Sequence, residues 1–180
     1  MVIFLTGERG VGKSTALRRA LAGSGLRIGG FMTDFGETRY GEDKTLWLLP
    51  WSETPDYAAG EVCARMGPGG RAVFPKVFDG LGAELLLASA RDPACDLILM
   101  DELGFLEAEA AGFREAVLSV LAGPKPTLGV VRRGLGAWQD ADLGEVWEVT
   151  AENREEIPPL LRQRLIRQFP AAFRSRRLPD

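Results

Sequence analysis

Short apolar runs alternate along this chain with longer stretches in which apolar positions recur every three or four residues. Val2 to Leu5 is an apolar run with β-branched and aromatic members, ending at Thr6-Gly7, and it predicts a buried strand. From Ser14 to Ala22 the apolar positions are Ala16, Leu17, Ala20 and Leu21, a helical spacing that Gly23 and Gly25 stop. Arg27 to Thr33 and Lys44 to Trp51 read as two strands that pair as a hairpin across a charged, glycine-bearing turn. Ser52 to Gly70 mixes Pro, Gly and acidic residues. Its readings are a flap over a site and a surface loop, and the loop is preferred. Ala72 to Phe78 is a strand candidate and Leu81 to Ala90 a helix. Asp96 to Met100 is a continuous apolar run ending at Asp101-Glu102, the signature of a strand buried on both faces. Phe113, Ala116, Val117, Val120 and Leu121 form one helical face, closed by Gly123-Pro124. Thr127 to Val131 and Val146 to Thr150 are further strands, and Leu160 to Phe169 is the last helix. This alternation predicts an α/β fold with a mostly parallel sheet.

A length of 180 residues adds the expectation of one domain over 1–180, with residues 170–180 as a frayed tail. The net charge of −3 gives no global attraction to nucleic acid or anionic membrane. No basic leader and no apolar run of about 20 residues is present, so the expectation is a soluble, cytoplasmic protein without a membrane partner. Cys63 and Cys95 lack metal-ligand spacing and read as two reduced thiols. The chain has no histidine, which removes the usual general base and the commonest zinc ligand. Arginine outnumbers lysine 18 to 4, so Lys13 stands out.

Lys13 lies in Gly7-Glu8-Arg9-Gly10-Val11-Gly12-Lys13-Ser14, which matches G-x-x-x-x-G-K-[ST] between the first strand and the first helix. Successive backbone N–H groups in such a turn form a concave nest for an anion. The following helix adds its positive dipole end and unpaired N–H groups. Glycines at 7 and 12 allow backbone shapes and close approach that a Cβ obstructs, and Gly10 adds slack. Lys13 then neutralises β- and γ-phosphate oxygens, Ser14 offers its hydroxyl to Mg²⁺, and Thr15 reaches the α-phosphate. The expected ligand is a nucleoside triphosphate and the expected cofactor Mg²⁺.

Asp101-Glu102 closes the most apolar strand, where ligands of open α/β sheets bind. Adjacent carboxylates there are costly unless they face a cation, and Mg²⁺ shared by Ser14 and Asp101 meets that need. Glu102 is then placed to polarise a water in line with the γ-phosphate. The competing reading is an acidic pair capping the next helix. Gly104 also makes the segment D-x-x-G, but the chain contains no N-K-x-D guanine-reading motif. Arg132 and Arg133 follow the strand at 127–131, where an arginine either offsets charge on a γ-phosphate or is simply solvated. Asn153-Arg154 reads either as a base or ribose contact or, with Glu156, as a capping box. The acid-poor stretch Arg162, Arg164, Arg167, Arg174, Arg176, Arg177 reads as a solvated basic helix and tail, so nucleic acid is not an expected partner. The four tryptophans read as packing residues, with Trp47 and Trp51, beside the irregular region, the exceptions for stacking.

Together, FLTGERGVGKST at 4–15, GGFMTD at 29–34, DELGFLE at 101–107 and VTAENREEIP at 149–158 resemble a known family. It is the small P-loop nucleoside-triphosphatases that include the cancer-related nucleoside-triphosphatase and its bacterial and archaeal relatives. The resemblance implies a three-layer P-loop NTPase fold of the additional-strand, catalytic-glutamate division, with an antiparallel hairpin added to the sheet. It implies slow Mg²⁺-dependent hydrolysis of several nucleoside triphosphates to diphosphate and phosphate. On this chain the family's Mg²⁺-binding and catalytic acids fall on Asp101 and Glu102, its basic residue on Arg132, its NR pair on Asn153 and Arg154, and its second acid on Glu107. The family usually shows GFYTEEVR, whereas this chain has GFMTDFGETR, with Asp34 the only acid directly after Thr33. Residues 52–80 match poorly, and there substrate contacts can differ. The rival functions are a P-loop kinase passing the γ-phosphate to an acceptor, which the lack of an arginine-rich lid disfavours, and a nucleotide-binding switch without catalysis.

Overall fold

Side chains of β1 (Val2–Thr6) alternate between the two faces of a sheet: Ile3 and Leu5 enter one apolar cluster and Phe4 the other. That division organises the molecule, a computed structural model describing residues 1–132, 134, 138 and 141–174. Eight strands run in the order β5-β4-β3-β2-β6-β7-β1-β8. They are β1, β2 (Ile28–Asp34), β3 (Lys44–Pro50), β4 (Glu61–Gly67), β5 (Gly70–Val73), β6 (Leu97–Leu103), β7 (Thr127–Val131) and β8 (Glu145–Glu148). The five strands β2, β6, β7, β1 and β8 are mutually parallel, while β3, β4 and β5 extend the sheet antiparallel from β2. Strand β7 lies between β1 and β6, so an additional strand separates the loop-bearing strand from the acid-bearing one.

Helices cover both faces and make three layers. On one side α1 (Lys13–Leu21) and α5 (Ile157–Gln168) bury Leu17, Leu21, Leu161 and Leu165 against Leu5, Leu99 and Val130. On the other, α3 (Ala83–Arg91) and α4 (Ala111–Leu121) bury Leu86, Phe113 and Val117 against Phe4, Met100 and the extension's Leu46, Leu48 and Cys63. Cys63 and Cys95 are free, buried thiols, and burial pushes Cys63 up to about 12. No described helix is long and apolar enough to cross a membrane.

Several elements differ from their sequence reading. The expected loop at 52–70 contains β4, and its neighbour β5 runs from Gly70. A bulge between Leu46 and Trp47 in the partner strand shifts the pairing, and only Cys63 and Ala64 of β4 are fully buried. The expected strand at 72–78 ends at Val73. Pro75 starts a helical turn, α2 (Pro75–Val77), because proline fixes a helical φ and gives no N–H to a ladder. Strand β6 continues through Asp101 and Glu102 to Leu103. Helix α5 begins at Ile157 with prolines in its first turn and Glu156 as its uncapped N-cap, so the Asn153–Glu156 capping box does not form. After α5 comes α6 (Pro170–Arg174), and Phe173 packs on the core below the Arg162 guanidinium, 5.1 Å from its ring centre. Arg162 also donates to the carbonyls of Ala20 and Ala22, and Arg164 pairs with Glu145, so two of the basic residues bind their own fold. Arg133, Arg176 and Arg177 lie outside the described residues.

Candidate active site

The loop between β1 and α1 is shaped by its glycines. Gly7, Gly10 and Gly12 take φ of 139°, 78° and 111°, a region other residues rarely adopt. A Cβ on Gly7 would overlap the carbonyl oxygen of Val149, so the loop lies tight against the segment after β8. Gly12 is the N-cap of α1, with no side-chain cap and no acid in the first turn, which leaves the helix's first amides to an anion. The buried Lys13 ammonium spans the turn and donates to the carbonyls of Gly7 and Glu8, each at 2.9 Å. Burial lowers the Lys13 pKa, and Arg132 adds to that effect, while Glu102 and Asp101 oppose it. Glu8, Arg9, Gly10 and Thr15 are exposed along the rim, with Val11 half-buried.

Two strands away, Asp101 is buried at the end of β6 and accepts a hydrogen bond from the Ser14 hydroxyl at 2.8 Å. Burial pushes its carboxyl up to about 6, against the Ser14 hydrogen bond. The next residue is placed by a register shift. Asp101 pairs with Val130 and Leu103 with Val131, which leaves Glu102 as an extra residue in β6. A bulge of this kind re-aims one side chain. Glu102 is about one-third exposed, with its carboxylate 3.5 Å from Arg132 Nε. Arg132 leaves β7 with its backbone N–H bonded to Leu103 O and its guanidinium 4.7 Å from the ring centre of Phe105. The loop thus meets the acidic pair and Arg132 at the carboxyl ends of β1, β6 and β7.

Other candidates are placed differently. The Asn153 side chain accepts from Thr150 N at 2.8 Å and donates to Glu148 O at 2.9 Å, so both ends of its amide hold the turn after β8. Arg154 is half-exposed on the same turn, 3.9 Å from Glu155. Glu107 is buried, where its carboxylate is held by Gly104 N and by Trp138 Nε1 at 3.2 Å. Burial raises its pKa. It joins the loops after β6 and β7. Trp47 packs edge-on against Tyr57, while Trp51 lies 5.3 Å below the guanidinium of Arg18 on α1. Sequence reasoning passed over Phe105 and Arg71, both of which reach Arg132's surroundings. The only signal was an aromatic residue three positions after Glu102.

The donor set suits Mg²⁺. A hydroxyl and a carboxylate are the hard oxygen ligands this ion takes, and it keeps its other positions for phosphate and water. The buried Asp101 carboxylate has the desolvation that a cation offsets. Among the described residues no group of three or more His, Cys, Asp or Glu side chains is gathered to hold a metal ion.

A family model described as NTPase matches residues 2–161. A nucleoside-triphosphatase THEP1 of Methanocaldococcus jannaschii is 35% identical over 167 residues, covering 87% of this chain and 92% of the relative. One from Pyrococcus abyssi is 31% identical over 171 residues, covering 87% and 88%. Among solved structures, a human cancer-related nucleoside triphosphatase superposes with a TM-score of 0.65 at 26% identity, covering 91% of this chain and 96% of that one. The fold of THEP1 from Aquifex aeolicus superposes with a TM-score of 0.67 at 20% identity, covering 89% and 96%.

Proposed function

This chain belongs to the NTPase family, and from that premise we propose a residue-level account of nucleoside-triphosphate hydrolysis. The Ser14–Asp101 hydrogen bond carries it, because it joins the phosphate loop to the acidic strand end across 87 positions of sequence. The backbone of residues 7–14 and the Lys13 ammonium grip the β- and γ-phosphates. Ser14 and Asp101 hold Mg²⁺, which when bound supplies charge neutralisation on the phosphate oxygens. Glu102 accepts a hydrogen bond from the attacking water and turns its oxygen toward the γ-phosphorus. The new P–O bond forms as the bond to the β-phosphate oxygen breaks. The water's proton passes to Glu102 or to the released phosphate, and nucleoside diphosphate departs. Arg132, held beside Glu102, offsets charge on the γ-phosphoryl oxygens. Arg154 reads ribose or base, while Asn153 shapes the turn that carries it. The protein acts in the cytoplasm as one domain.

Phosphate release measured across a panel of nucleoside triphosphates and added acceptors, with Mg²⁺ or with a chelator, tests this account. Free phosphate appearing only with Mg²⁺ is the expected result, and Lys13→Ala should abolish both release and triphosphate binding. Phosphate appearing on an acceptor would instead identify a kinase. Tight triphosphate binding by Lys13→Ala would remove the loop from the account.

A further inference from the structure

Phe105 lies two residues beyond β6, half-buried, and carries two cations. The guanidinium of Arg132 is 4.7 Å from its ring centre and that of Arg71 is 4.5 Å away. Arg71 comes from β5, the far edge of the antiparallel extension and four places from β6 in strand order. At about 4.8 Å per strand, a flat sheet would hold β5 roughly 19 Å from β6. The contact therefore brings the loop after β6 and the sheet's edge strand together across that span.

The charges around this ring are unbalanced. Arg132 shares the Glu102 carboxylate at 3.5 Å, whereas Arg71 has no carboxylate partner among the described residues. An aromatic face attracts each guanidinium, yet two like charges on one ring repel. A dense anion relieves that repulsion, and an anion is what the neighbouring loop is built to hold. We propose that Arg71, Phe105 and Arg132 form one anion-receiving unit for the triphosphate tail. In it Phe105 positions Arg132, and Arg71 adds a second guanidinium for the phosphates. This deepens the hydrolase reading and rests on it. It also gives the poorly matching region 52–80 a role at the site.

Steady-state hydrolysis of MgATP, inhibition by inorganic tripolyphosphate, and calorimetric binding of tripolyphosphate test the unit. Arg71→Ala is expected to raise KM about three- to tenfold, more than it lowers kcat, and to weaken tripolyphosphate by the same factor. Phe105→Leu keeps an apolar side chain without the ring face, and kcat should fall about three- to tenfold. Phe105→Tyr should restore it, which a merely space-filling role would not require. Unchanged KM and tripolyphosphate binding in Arg71→Ala overturn the proposal, as does equal turnover in the leucine and tyrosine variants. Weaker ATP with unchanged tripolyphosphate would assign Arg71 to base or ribose and overturns it too. If the parent binds tripolyphosphate yet releases no phosphate from any nucleotide, hydrolysis fails as the function. The calorimetric difference between parent and Arg71→Ala still decides the unit.

Discussion

The parallel and antiparallel parts of the sheet differ in how their strands are covered, and the site divides along the same line. Strand β6 is buried from Leu97 through Asp101, with helices on both faces. Strand β5 is mostly exposed, and β4 buries only its middle. The groups proposed to hold the phosphates and Mg²⁺, Lys13, Ser14 and Asp101, sit on or beside elements covered by two apolar layers. The proposed accessory cation, Arg71, stands on the sheet's free edge. The proposed catalytic groups occupy the doubly covered part, where packing fixes side chains, and a contact that only adds charge can be supplied from an edge.

The sharpest way to break this division is at Glu102. Glu102→Gln should lower kcat by about 10²- to 10⁴-fold while triphosphate binding persists, read by single-turnover phosphate release beside fluorescent-nucleotide binding. A loss no larger than that of Arg71→Ala would erase the distinction between the two parts. A second comparison uses stability. Gly30 in β2 has φ 95°, and a Cβ there would overlap the carbonyl of Leu99, whereas Gly69 between β4 and β5 has nothing within 4 Å. Gly30→Ala should therefore cost about 3 kcal/mol and lower Tm by roughly 5–10 °C, with Gly69→Ala nearly neutral by thermal melting. Equal shifts would show that both parts are packed alike.

The smallest effect concerns pH. Burial holds the Asp101 carboxyl at about 6, above its ordinary 3.8, so the unfolded chain gives up this proton first. As pH rises through that interval the unliganded protein should lose stability, and it should regain it on acidification. Asp101→Asn should remove this slope and stabilise the unliganded protein at neutral pH by about 1–3 kcal/mol, while abolishing turnover. Denaturant titrations at pH 5 and pH 7 measure it. An unchanged slope in Asp101→Asn would place the titration elsewhere.

Gly7 to Ser14 was legible because each requirement of the loop is local: glycines at positive φ, a lysine, and a helix starting at once. The apolar run ending at Asp101 was legible because a strand buried on both faces has no polar alternation. Strands β4 and β5 were hidden, since a partly solvated edge leaves a weak pattern among Pro and Gly. The role of Asn153 went the other way. Its spacing to Glu156 suggested a cap, yet the prolines start the helix at Ile157 and the amide closes the turn after β8.

By itself, then, the chain's order of residues determined the phosphate loop, the acidic strand end and an α/β layering, because short-range geometry and burial periodicity encode all three. Tertiary structure alone decided that Glu102 bulges toward Arg132, that Glu107 turns inward to Trp138, and that Arg71 meets Phe105. Those pairings join residues about 30 positions apart, and they follow from strand register and strand order, which no local pattern contains.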